Sequence, residues 1–136
     1  MRDLVLIAHV LIGIGIMLSA ILVLLNLKSS KKTVQIYATI AAILSWLVLL
    51  PSAILYLVFY PATKTVIKAG SWPWAHTILM EAKEHIGLLL PLISTVGVVY
   101  VCRGKIKESR KWWILLAVTA LLLGIMGRVI KIGALK

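Results

Sequence analysis

The chain has 136 residues, 62% of them hydrophobic, and a formal charge of +11 from 15 Lys/Arg against 4 Asp/Glu. Its long apolar runs exclude an ordinary soluble domain and point to an integral membrane protein of one domain, residues 1–136, with roughly four spans of about 20 residues each. The bases fall in short segments between those runs, where topology and anionic headgroups account for them, so nucleic acid is excluded as a partner.

The first run, 4–25, is too long for a signal-peptide core and reads as a retained transmembrane helix. A short basic loop follows, with Lys28, Lys31 and Lys32. The second span, 33–60, carries Pro51 in its middle, which predicts a kink about one turn earlier. Tyr56 and Tyr60 suit the headgroup level, and Pro61 is expected to end the helix. A connector over 62–71 leads to Ser71 as a cap, Pro73 in the first turn, and Trp72 and Trp74 as interfacial anchors. The third span, 73–102, is longer than the hydrocarbon requires and is bent at Pro91. A second basic loop carries Arg103, Lys105, Lys107, Arg110 and Lys111 against the lone Glu108. The fourth span, 112–132, opens on Trp112 and Trp113 and holds Arg128 in its final turns.

The two basic loops lie on one side, which the positive-inside rule makes cytoplasmic. The opposite side holds Arg2, Lys64, Lys68, Lys131 and Lys136. The expected architecture is an all-α, antiparallel four-helix membrane bundle with both termini outside.

Ionisable side chains are costly near hydrocarbon, so a cluster there is a candidate site. One stretch, Trp72 to Pro91, holds His76 and His85 of the three histidines and Glu81 and Glu84 of the four acids. At about 1.5 Å per residue, His9 lies roughly 8 Å below the outer boundary and His85 roughly 25 Å above the inner one, both in the outer part of the bundle. Glu81 and His85 share a helix face, while His76 and Lys83 share the opposite one. Gly13 and Ala20 leave a shallow groove beside His9.

Three chemistries fit this set. One b-type haem would take His9 and His85 as axial ligands, with Arg128, Lys131 or Lys83 pairing with its propionates. A transition metal would take Glu81, Glu84 and His85, with His76 or His9 added. Against that stands a solvated headgroup-level cluster of Glu81, Lys83 and Glu84. A proton or substrate path is the third, but no acid follows Glu84 until Glu108, so no relay crosses the bilayer. The sequence holds no nucleophile–base pair, phosphate-binding glycine loop or zincin motif. Cys102, the single cysteine, excludes an internal disulfide and covalent haem attachment.

The run Tyr60-Pro61…Lys64…Trp74…Met80-Glu81-Ala82-Lys83-Glu84-His85 resembles small four-span prokaryotic membrane proteins in which a Glu-x-Lys-Glu-His element opens the third span. A histidine early in span one and another early in span three is a pattern similar to that of small four-helix membrane cytochromes b. That second resemblance implies one haem b, electron transfer, and a quinone or redox-subunit partner in a prokaryotic cell membrane. The leading expectation is thus a single-haem membrane electron-transfer subunit with no independent catalytic activity, working with other membrane or redox subunits, with a homo-oligomer as a further option. The alternatives are a cofactor-free accessory subunit of a larger membrane complex and a Glu/His metal-binding membrane protein.

Overall fold

The computed structural model describes residues 1–135; Lys136, counted above among the outer-side bases, lies outside them. Four helices, each long and apolar enough to cross a membrane, account for nearly all of the chain: α1 (Arg2–Leu25), α2 (Lys31–Ala69), α3 (Ala75–Cys102) and α4 (Ile106–Leu135). They run antiparallel in a ring, with α1 packed on α2 and α4, and α3 packed on the same two, so that α1 and α3 face each other across the diagonal. Large apolar side chains such as Leu11, Leu18, Leu50, Leu92, Val118 and Ile125 cover the outside. An apolar exterior around such a bundle suits a multi-pass membrane protein.

Proline sets where the helices bend. The regular α-helical part of α2 stops at Leu47, four residues before Pro51, and a segment of α3 stops at Gly87, four residues before Pro91. A proline ring clashes with the carbonyl four residues back and offers it no N–H, so the helix opens there without ending. Val48 and Leu88 keep helical angles through both bends.

Pro61 behaves otherwise than expected. It does not end the second helix, which continues to Ala69 and stops at Gly70. A π-helical turn, Leu55–Phe59, precedes it, and the Tyr60 N–H reaches back five residues to the Leu55 carbonyl. That wider winding makes room for the ring. The connector is therefore only 70–74, and the stretch read as a loop over 62–69 is helix that leans over the end of the bundle onto α4 and the start of α3. The fourth helix likewise begins at Ile106, six residues ahead of Trp112, so most of the second basic loop is a helical first turn.

The core lies toward the end with the two basic loops. Trp113 is fully buried, together with Ile16, Val23, Val34, Val101 and Leu116. The Trp113 ring fits because α3 carries Gly97 opposite it; a methyl there would sit 2.7 Å from the ring. A second, smaller cluster of Tyr60, Ile67, Ala75 and Ile130 closes the end that holds the termini.

Candidate functional site

Ser52, Tyr56 and Tyr60 recur every four residues along α2, so they form one polar stripe facing the bundle's terminal half. Each meets a residue of another helix or of the stripe itself. The Ser52 hydroxyl donates its single proton to the Val48 carbonyl at 2.7 Å, and its oxygen lies 3.1 Å from Nδ1 of His9 on α1. The oxygen is therefore the acceptor and His9 Nδ1–H the donor, which leaves the lone pair on His9 Nε2.

Tyr60 is 2.7 Å from Nδ1 of His76, and both side chains are buried. Their rings lie 5.7 Å apart, and Tyr56 stacks on Tyr60 at 5.6 Å. The Tyr56 hydroxyl is turned to the Glu84 carboxyl. Oxygen Oε1 of Glu84 is buried and has no hydrogen-bond partner among the described residues.

Lys83 enters the bundle from the same helix. Its ammonium sits against Gly127 of α4, where a methyl group would lie 3.1 Å from Nζ, and it lies within electrostatic reach of His9. All four helices thus reach one layer: His9 from α1, the Ser52–Tyr56–Tyr60 stripe from α2, His76, Lys83 and Glu84 from α3, and the space at Gly127 from α4. Two π-helical turns, Leu55–Phe59 and Ala75–Met80, flank it, and they carry Tyr56 and His76. Single π turns inside α-helices recur at functional sites because they re-aim side chains that a regular helix would place elsewhere.

The sequence-based candidates divide. His9 and His76 are in the layer. His85 and Glu81 are exposed on the outer face of α3, with His85 Nδ1 donating to its own helix at the Glu81 carbonyl, 2.7 Å away. The structure does not bring His85 to His9: His9 turns to Ser52 of α2, whereas His85 is exposed and bonds to its own helix. Arg128 and Lys131 are exposed on α4 and do not turn inward; the inward cation is Lys83. Lys83 and Glu84, expected in a solvated cluster, are instead partly buried. Glu81, Glu84 and His85 do not converge, and no group of three or more His, Cys, Asp or Glu side chains comes together among the described residues. The face arithmetic is sound, but the inward face is the one with His76 and Lys83.

Two surface hollows lie away from this layer. A shallow groove of about 450 Å³ is lined by Thr39, Ala42, Ile43, Trp46, Leu47 and Val98. A smaller cleft of about 170 Å³ lies between Val99, Tyr100, Arg103 and Lys105.

The chain matches no protein-family model, no curated protein and no solved structure. Its own residues therefore carry the functional argument.

Proposed function

We propose that the chain is a proton-responsive accessory subunit of a prokaryotic cell membrane, without catalytic activity of its own, that takes up a proton from the outer side at Glu84. One observation carries this reading: a buried carboxylate oxygen without a partner, in a polar layer built by all four helices and bracketed by two π turns. A buried acceptor left unpaired costs about 1–3 kcal/mol, more when charged, and such groups inside a membrane protein mark working sites.

A metal cation does not suit this set: calcium-type ions need six or more oxygens, and the layer offers one carboxyl beside the hydroxyls of Ser52, Tyr56 and Tyr60. Protonation neutralises the carboxyl, to which the Tyr56 hydroxyl already donates. The other ionisable groups around it are Tyr60, with Lys64 and Lys68 near His76 on the α2 side, and Glu81, Lys83 and His76 on α3; His9 on α1 lies near Lys83. From α4, Gly127 leaves the space beside Lys83, and Ile130 packs in one cluster with Tyr60. The change is suited to response and not to transport. Between this layer and the basic loops, the buried hydroxyls of Ser19, Ser45 and Ser94 all bond to carbonyls of their own helices.

Infrared difference spectroscopy on the protein in vesicles, with the external pH stepped, tests this directly because Asp3, Glu81, Glu84 and Glu108 are the only side-chain carboxyls. A protonated-carboxyl band that disappears in Glu84→Gln and persists in Glu81→Gln is the expected result. A band indifferent to Glu84→Gln removes the proposal.

A second reading, the single b-type haem in an electron-transfer subunit, is favoured by one feature. His9 and His85 each commit Nδ1–H to an oxygen and leave Nε2 bare, as axial ligands held by an outer hydrogen bond do. With His85 facing outward, such a haem would be shared with a second copy or a partner subunit. A Soret band in the purified protein supports it; a colourless preparation that retains its partners counts for the accessory subunit.

A further inference from the structure

The loop end of the bundle carries a feature the polar layer does not use. α3 ends at Cys102 with Arg103 as its cap, and Gly104 takes φ +76°, the left-handed angle that glycine tolerates. The Gly104 N–H then bonds the Val101 carbonyl at 3.0 Å and the Lys105 N–H bonds the Tyr100 carbonyl at 2.9 Å, which closes the helix end tightly. Because the chain reverses on one residue, Arg103 and Lys105 both line the cleft, together with Val99 and Tyr100.

The surroundings are cationic and aromatic. Lys111 lies over the Trp112 ring at 5.8 Å, and Trp112 lies beside Tyr100 with centroids 6.3 Å apart. Lys107 and Arg110 are exposed nearby, and Glu108 is the one acid of this loop. Below the cleft, Leu88, Leu92, Thr95 and Val99 are all exposed at helical spacing, a continuous track down the outside of α3.

A cationic notch at the head of an apolar track matches one kind of molecule. We propose that the Arg103–Lys105 cleft holds the phosphate of an anionic phospholipid whose acyl chain lies along Leu88, Leu92 and Val99. Guanidinium and ammonium groups complement a phosphodiester, Tyr100 and Trp112 sit at the level of the glycerol backbone, and a water-soluble phosphate compound would have no use for the track. The inference rests on the membrane reading of the four helices, and the test separates the two.

The purified protein is first mixed with phosphatidylcholine vesicles and floated; failure to float refutes the membrane reading itself. Lipid retention is then compared by native mass spectrometry after exchange into phosphatidylglycerol or phosphatidylcholine. Expected is preferential retention of phosphatidylglycerol that falls about fivefold for each base removed in Arg103→Ala/Lys105→Ala, and far less in Lys31→Ala/Lys32→Ala, which removes equal charge from the other loop. Flotation with no preference for phosphatidylglycerol, or equal losses in the two double variants, overturns the proposal.

Discussion

Toward the basic loops, the bundle is held by shape; toward the termini, it is held by polar contacts between helices. In the loop half, Trp113 fills the space above Gly97, and its Nε1–H bonds Ser109 at 3.1 Å on its own helix. The serines there also bond within their helices. The exceptions are Trp46, which reaches Thr95 at 3.0 Å on the surface, and the Trp112 indole N–H, which is buried without a partner among the described residues. In the terminal half, the bonds cross between helices, from His9 to Ser52 and from Tyr60 to His76. The windings differ in the same way: both π turns fall in the terminal half. One half supplies stability through close packing; the other spends regular helix geometry to assemble a polar layer.

The largest test of this contrast is Trp113→Ala. Emptying a fully buried indole site should cost about 3–5 kcal/mol in unfolding from detergent micelles, since neighbours at Gly97 cannot collapse far enough to refill it. A loss under about 1 kcal/mol would move the stabilising core away from the loop half.

Tyr60→Phe should have an intermediate effect. It keeps the ring against Tyr56 and removes only the hydroxyl, leaving buried His76 Nδ1 without its partner at a cost of about 1–3 kcal/mol. Thermal unfolding measures the loss. The same variant should alter the carboxyl band of Glu84, because Tyr56 stands between Tyr60 and that carboxyl. Trp113→Ala, read below its unfolding temperature, should leave the band in place.

The four apolar helices, their order and the bends at Pro51 and Pro91 were legible because each follows from a local rule about hydrophobic length or a missing N–H. The passage of α2 through Pro61 was not, because a π turn trades one local penalty for a tertiary gain that no window of sequence displays. The inward face of α3 was hidden for a different reason. In a membrane helix both the packed and the lipid-facing sides are apolar, so the hydrophobic pattern cannot rank His76 and Lys83 above Glu81 and His85. One signal was present: the Ser52, Tyr56, Tyr60 spacing marks a polar stripe on α2, and the stripe needs donors and acceptors opposite it. Lys83 at Gly127 had a fainter one, a glycine on α4 that leaves room where an alanine methyl would crowd an ammonium.

His85→Ala should produce the smallest change, and it bears most directly on which face of α3 turns inward. His85 is exposed, and its one hydrogen bond returns to the Glu81 carbonyl, which already lies within a helix. Removing the ring therefore opens no cavity and strands no buried group, and unfolding should shift by no more than about 0.5 kcal/mol. His76→Ala on the same helix loses a side chain only 4% exposed and leaves the Tyr60 hydroxyl unpaired, so it should lose several times as much. Equal losses would mean that α3 is rotated so that both faces meet protein, which would bring Glu81 and His85 into an interface. A large loss at His85 alone would exchange the inward and outward faces and return His85 to the neighbourhood of His9. The ratio of the two losses is thus the more informative number, because errors common to micelle measurements cancel in it while a turned helix inverts it.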